Sequence, residues 1–478
     1  MSAIGTLALG LAASPEQTAQ NWGTSSAALK TRLQQALAAG RPLWTRPWEG
    51  PSAWVPLQAV KQGDVRKNSA AQWYVAGSAG TCGATEPTHT SGAAVSDGGV
   101  LWTHLGGPSW DAADDPAKPI LTPTNSTSTP AGLTALDVWA NRALFTFNGC
   151  APAQYATNRA YLNVFTIGVG GAVQRGGFVA FWSDAPKIGF EAPSGTAGMR
   201  IFCDGRPLTA GPIYPFAASN FWEVVDWGTR KPRLWEIHYG RDNATFMQIA
   251  ITSADQIWPA PSPGTLRGGA LGDSYLAGSS YGPFILGDTL PEHFGRLIGV
   301  DDMWRLGIGG TGLLNPGTGP YYTYRERVPQ LLALKPDVIF LQGSTNDIGS
   351  NQAAITAEAL ACIDAIRGGA GGQPGSSAPI FWFGPAPISG SYSSIQAVDA
   401  AIKAACDARP GQNIFYKSLV TATPPWLTGS HNNASYSWSS NISQYIGGDN
   451  VHPVDKGTMY FAGRMASAYA NEMLPLVA

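Results

Sequence analysis

The sequence predicts a multidomain chain: an α/β domain with a parallel sheet over residues 266–478, preceded by all-β structure. Three observations carry this. After Pro261-Ser262-Pro263-Gly264, short apolar strands alternate with helical segments. Over residues 107–265, short strands separated by Gly and Pro follow one another with no long helical period, the pattern of a β-sandwich. Thirteen of the 17 Trp precede residue 265, which fits large rings filling β cores.

The bulk numbers agree with a globular chain of several domains. At 478 residues it exceeds one ordinary domain of about 150 residues. The 44% apolar content suffices for large cores, and only 13% is charged. The surface therefore relies on Ser, Thr, Asn and Gly, a composition common in extracellular and virion proteins. The net charge is −2 and no Lys/Arg cluster offers a footprint for nucleic acid. No apolar run reaches the roughly 18 residues of a membrane span. Ile4 to Ala13 is weakly apolar but lacks a basic segment before it, so it is not read as a secretory signal. Cys82, Cys150, Cys203, Cys362 and Cys406 are odd in number and scattered, which favours free buried thiols. No His/Cys/Asp grouping has zinc-ligand spacing, so neither metal nor cofactor is expected.

Taken in order, residues 1–40 form an N-terminal helical segment, started by Ser14-Pro15-Glu16 and stopped by Gly40-Arg41-Pro42. It has no heptad run to mark assembly, and an oligomer stays open. Residues 41–106 read as a small β-rich accessory module. Gln72 to Ala76 and Val100 to His104 alternate, and Asp97-Gly98-Gly99 is a hairpin signal. Residues 107–265 contain further strands, such as Gly177 to Trp182, Arg200 to Cys203, and Arg233 to His238, and form the sandwich. Asp111, Asp114 and Asp115 read as a solvated turn. In the last domain, strands at 270–272, 303–306, 337–341, 379–383 and 413–416 alternate with helices near 288–298, 323–334, 351–367, 393–408 and 455–473.

Ligands of parallel sheets bind beyond the carboxyl ends of the strands. Ser274, Gly310, Asn346 and Gly384 all follow strand ends. Asp449 and His452 stand three residues apart, ahead of the final helix, in a loop stiffened by Pro453. A serine nucleophile, a histidine base, an aspartate that orients it and a polar group for the oxyanion are what acyl transfer requires.

These blocks, in this order, resemble the SGNH (GDSL) hydrolase family over residues 266–478. Gly272-Asp273-Ser274 resembles its first block and makes Ser274 the nucleophile. Gly307 to Gly312 resembles the second, in which Gly310 supplies an oxyanion N–H beside that of Ser274. Asn346-Asp347 resembles the third, with the Asn346 amide as a further donor. Asp449-x-x-His452 resembles the last. The resemblance implies a three-layer α/β/α flavodoxin-like fold and a Ser274-His452-Asp449 triad. Two positions depart from the pattern. Ser344 holds a glycine place and Arg305 an asparagine place. The segment Asp255 to Pro259 resembles the jelly-roll-like sandwich that precedes the catalytic domain in some of these esterases. Gly80 to Pro87, with Asp97 to Thr103, resembles β modules of phage-tail and carbohydrate-active proteins. Trp73 and Trp102 there suit either sugar stacking or the core of a small domain.

Two patterns compete with the site. Gly278-Ser279-Ser280-Tyr281-Gly282 fits a Gly-x-Ser-x-Gly elbow, which needs a strand before it and a helix straight after, but Tyr281-Gly282-Pro283 does not start a long helix at once. Gly307 to Gly312 fits a dinucleotide loop, but the Asn315 to Pro320 run forbids the helix such a site needs. Thr421 to Gly448 is a polar and aromatic insertion that reads as a substrate wall or a surface loop. The expectation is a serine esterase acting on short acyl esters, O-acetyl above all, of a polysaccharide, outside the cell or on a virion. A lipase or general short-chain carboxylesterase is one alternative. A phage-tail or surface adhesin that binds glycan on a hydrolase-like fold is another.

Overall fold

The computed structural model describes residues 28–31, 33–34, 51–91, 93–106, 119–124, 126–166, 173–193, 198–209, 213, 220–240, 245–261, 266–283, 285–300, 302–319, 321–388, 392–422, 426–427 and 441–477. The Asp111, Asp114, Asp115 cluster, the start of the N-terminal helix and most of the 421–448 insertion lie outside these residues. The chain forms two compact units. One comprises residues 44–162 and 178–263. The other comprises residues 1–43, 163–177 and 264–478.

The first unit is built of β-sheets. Phe178–Ser183 pairs antiparallel with Arg233–Tyr239, which pairs with Met199–Cys203. A second sheet joins Lys187–Ala192 to Phe221–Asp226. The two sheets meet face to face where Phe190 of one packs on Trp235 of the other, with ring centroids 5.1 Å apart. Val65 and Val75 of the small module share a core with Trp182, Leu234 and Trp258. Trp102 is fully buried, so it serves packing rather than sugar stacking.

The second unit holds a five-stranded parallel sheet. Its strands are β1 (Arg267–Gly272), β2 (Asp302–Gly307), β3 (Val338–Gln342), β4 (Ile380–Phe383) and β5 (Ile414–Lys417), in the order β2-β1-β3-β4-β5. Among the described residues the helices that follow β1 are α1 (Ser274–Ala277), α2 (Leu290–Ile298), α3 (Val328–Ala333), α4 (Gln352–Gly368), α5 (Tyr392–Asp407), α6 (Ile442–Tyr445) and α7 (Asp455–Ala468). Side chains of a strand alternate between faces. Phe340, Phe381 and Phe383 accordingly join a core with Leu290, Phe294, Phe461 and Met465 of α2 and α7. Ile339, Leu341, Ile380 and Trp382 join the opposite core with Leu331, Ile355, Ile363 and Ile402 of α3, α4 and α5. Three layers result, as the alternation of strands and helices predicts. Leu29 and Leu33, from the N-terminal helical residues, complete the first of these cores.

β1 is poor in large apolar residues for a packing reason. A Cβ at Gly269 would stand 2.4 Å from Leu331 Cδ1, so this strand gives up side chains to let α3 approach. All five cysteines are buried free thiols. Among the described residues, no helix is long and apolar enough to cross a membrane.

Glu292 of α2 is buried in this unit, and its Oε2 has no hydrogen-bond partner among the described residues. Burial pushes its carboxyl up from 4.5 to about 7, against the opposing pull of Arg305. The folded state therefore binds the proton more tightly than the unfolded chain. The associated stability is full below pH 4.5 and is lost as pH rises through about 7. Glu292→Gln should flatten the pH dependence of the thermal midpoint across that window and raise stability at pH 8 by up to about 3 kcal/mol. A wild-type midpoint that does not fall between pH 5 and 8 would contradict this.

Candidate active site

Ser274 stands just past the carboxyl end of β1. β1 ends at Gly272, and Asp273 caps α1, its carboxylate accepting the Tyr275 N–H at 3.0 Å. The turn is tight because β1 and β2 both end in glycine at this point. A Cβ on Gly272 would lie 2.7 Å from the Gln342 carbonyl oxygen, and one on Gly307 would lie 2.6 Å from the Ala277 nitrogen. The short helix thus sits directly on the strand ends, with Ser274 in its first position.

His452 comes from a loop 178 residues further on. Its Nε2 lies 2.8 Å from Ser274 Oγ, and its Nδ1 lies 2.5 Å from Asp449 Oδ2. An ionised carboxylate only accepts, so Nδ1 carries the proton and Nε2 is free to accept from the serine hydroxyl. The other oxygen, Asp449 Oδ1, accepts the N–H groups of Val451 and His452, each at 3.0 Å. Asn450 makes this reversal possible by adopting φ 63°, a conformation asparagine tolerates better than most residues. The Gly447 N–H donates to the His452 carbonyl at 2.7 Å, and the Tyr275 hydroxyl donates to the Val451 carbonyl. Burial alone would raise the Asp449 carboxyl. The His452 backbone N–H, the imidazole and the Val451 N–H outweigh it and hold the group below its usual value. Both side chains keep about a quarter of their surface exposed (25% for His452, 26% for Asp449), so a substrate can reach them.

The groups expected to receive an oxyanion occupy two adjacent loops. Gly309 and Gly310 follow β2, and a Cβ at Gly309 would come within 3.7 Å of Ser274 Cβ. Gly310 has φ 76°, and nothing lies within 4 Å of an added Cβ. Asn346 is in the 3-10 turn Thr345–Asp347 after β3. Its Nδ2 donates to the Thr311 carbonyl at 2.8 Å. An amide carries two hydrogens, so one orients the group and one remains.

Several supports were not legible as such. Asp347 is fully buried, and its carboxylate accepts N–H groups of Leu313 (2.6 Å), Leu314 (3.1 Å) and Asn315 (3.0 Å). The two departures from the family pattern both gain a role. Ser344 donates its hydroxyl to Asp347 at 2.6 Å and accepts from the Leu313 N–H at 3.2 Å. Arg305 donates to the Ala277 carbonyl at the end of α1 (2.7 Å) and to the Arg175 carbonyl (2.9 Å). Asp273 is wholly buried, and burial raises its carboxyl to about 6 despite hydrogen bonds from the N–H groups of Tyr275 and Thr345.

The competing patterns have ordinary structures. Gly278 ends α1, and Ser279 pairs with Gly282 in a tight turn, so no strand leads to Ser280 and no helix leaves it directly. Among the described residues, no helix follows Gly307 to Gly312 until Arg325. Of the 421–448 insertion, Trp426 is buried against Phe461, and Tyr445 stacks on Tyr460 at 4.1 Å. Pro424, Pro425, His431, Tyr436 and Trp438 lie outside the described residues.

Residues 270–458 match the GDSL-like lipase/acylhydrolase family. No curated protein matches the chain. Among solved structures, the chain is similar to a salicylyl-acyltransferase from a tetracycline biosynthetic pathway. Identity is 12%, 73% of this chain and 99% of that chain are covered, and the TM-score is 0.52. It is also similar to a family two carbohydrate esterase from Cellvibrio japonicus (15% identity, 69% and 95% covered, TM-score 0.48). A third is an acetyl xylan esterase from the rumen bacterium Butyrivibrio proteoclasticus (12% identity, 74% and 99% covered, TM-score 0.45). At these identities the likeness concerns the fold.

Proposed function

We propose that the GDSL-like lipase/acylhydrolase domain of this chain is a serine esterase that removes short acyl groups, chiefly O-acetyl, from a carbohydrate. The unbroken hydrogen-bonded chain from Ser274 through His452 to Asp449 carries the esterase reading. Ser274 Oγ attacks the ester carbonyl carbon while His452 Nε2 takes the hydroxyl proton. Asp449 holds the ring tautomer and stabilises the imidazolium. The N–H groups of Ser274 and Gly310 and the free Asn346 amide hydrogen receive the oxyanion, and each such donor is worth about 2.7–4 kcal/mol of barrier. Collapse breaks the bond to the alcohol, which leaves with the proton from His452. Water, deprotonated by the same ring, then releases the acid and restores Ser274.

A chain with 13% charged residues and a β-rich first half suits work on a neutral polymer. Purified protein should release acetate from an acetylated polysaccharide such as acetylated xylan. On p-nitrophenyl esters, kcat/KM should fall by about tenfold or more from acetate to octanoate, since each misfitted methylene costs on the order of 1–3 kcal/mol. Faster turnover of octanoate would favour the lipase reading. Hydrolysis of small acetate esters without acetate from any acetylated polysaccharide would reject the carbohydrate part.

A further inference from the structure

Resting on the esterase reading, we propose that Thr311, anchored by the buried guanidinium of Arg327, is a positioning residue that holds two of the oxyanion donors, the Gly310 N–H and the Asn346 amide, in register. Thr311 is fully buried in the turn after β2. Its hydroxyl donates to the Ile308 carbonyl at 2.8 Å, and its N–H reaches the same oxygen at 3.4 Å. Those two bonds close the turn that contains Gly309 and Gly310. Its carbonyl accepts the Asn346 amide at 2.8 Å. One residue therefore touches the Gly310 turn and the asparagine that faces the same charge.

The turn needs such a brace. Two consecutive glycines carry large backbone freedom, and Gly310 sits at positive φ. With the hydroxyl gone, only the long backbone contact would close it. Arg327 fixes the hydroxyl from below. Its Nη2 donates to Thr311 Oγ1 at 2.9 Å and to the Gly272 carbonyl at 3.1 Å, its Nη1 to the Leu306 carbonyl at 2.5 Å, and its Nε to the Tyr322 carbonyl at 3.2 Å. Gly272 and Leu306 are at the ends of β1 and β2. The guanidinium is thus a fork that ties the nucleophile strand, the neighbouring strand and the oxyanion turn together. Burial lowers its pKa only to about 10, so it stays charged at neutral pH. A planar fork with fixed donors suits this better than a lysine ammonium.

Donor placement is critical at the scale of tenths of an ångström, and a displacement of about 1 Å can cost on the order of 100-fold in rate. Thr311→Val, which removes the hydroxyl at nearly constant shape, should lower kcat on p-nitrophenyl acetate by roughly 10- to 100-fold with KM within about twofold. Binding of methyl trifluoromethyl ketone, whose carbonyl takes up the Ser274 oxygen to form a tetrahedral hemiketal, should weaken in proportion. Thr311→Ser should restore kcat to within a few-fold of wild type. Adding Asn346→Ala to Thr311→Val should cost less than Asn346→Ala costs alone, because the two share one function. Should Thr311→Val fail to fold, Arg327→Lys reads the same link, with at least a tenfold lower kcat at unchanged KM. An active wild type with kcat unchanged in Thr311→Val or Arg327→Lys, or no recovery in Thr311→Ser, would overturn this inference alone. A wild type inactive on every ester would overturn the esterase reading and this inference with it.

Discussion

Ser274→Ala should lower kcat on p-nitrophenyl acetate by about 10⁴- to 10⁶-fold while leaving the thermal midpoint nearly unchanged. The first part follows from the chemistry. No other hydroxyl is hydrogen-bonded to the His452 ring among the described residues. The second follows from the local structure. The cap of α1 is Asp273, not Ser274, so the helix keeps its start when the hydroxyl goes. One lost hydrogen bond at a half-buried position changes stability by about 1 kcal/mol. Ser280→Ala should leave kcat within about twofold, since Ser280 is exposed in the turn after α1. Loss of activity in Ser280→Ala with retention in Ser274→Ala would reverse the assignment of the nucleophile.

Asp449→Asn should cost about 10³- to 10⁴-fold in kcat with the loop intact. The two oxygens of Asp449 do different work. Oδ1 holds the backbone of Val451 and His452, and Oδ2 holds the ring. An asparagine oxygen can keep the first task. Its NH₂ would then face Nδ1 and impose the opposite tautomer, in which Nε2 carries a proton and cannot take one from Ser274. Asp449→Ala should lose both tasks, and with them part of the loop's stability. Activity combined with melting curves separates the two variants. An Asp449→Asn enzyme within tenfold of wild type would show that the carboxylate is dispensable.

Much of the second unit is legible because its signals are local. Each strand of the parallel sheet lies within a few residues of an apolar run, and the long helices carry their own start and stop residues. Asn351, for example, caps α4 by accepting the Ala354 N–H. The residues brought together around Ser274 were readable as types at strand ends. Other features were not, because their meaning lies in distant partners. Arg327 reads as one more charge on a helical segment. It is buried only because the ends of β1 and β2 and the Thr311 turn surround it with oxygens. Asp347 reads as a neighbour of Asn346, yet its role depends on three N–H groups some 32 to 34 residues away. The poverty of β1 in apolar residues looks like a weak strand until Leu331 is found pressing on Gly269. The hairpin of Asn163–Thr166 with Val173–Arg175 is continuous in sequence with the sandwich strands, and nothing local marks it as part of the second unit.

The central claim is that the Ser274 hydroxyl, activated by His452, is the nucleophile. The most direct measurement is peptide mass spectrometry of the protein after reaction with a fluorophosphonate. The account predicts a single phosphonyl adduct on the peptide bearing Ser274, formed with loss of fluoride and lost in His452→Ala. An adduct on another residue, or none on Ser274 in folded protein, would contradict it.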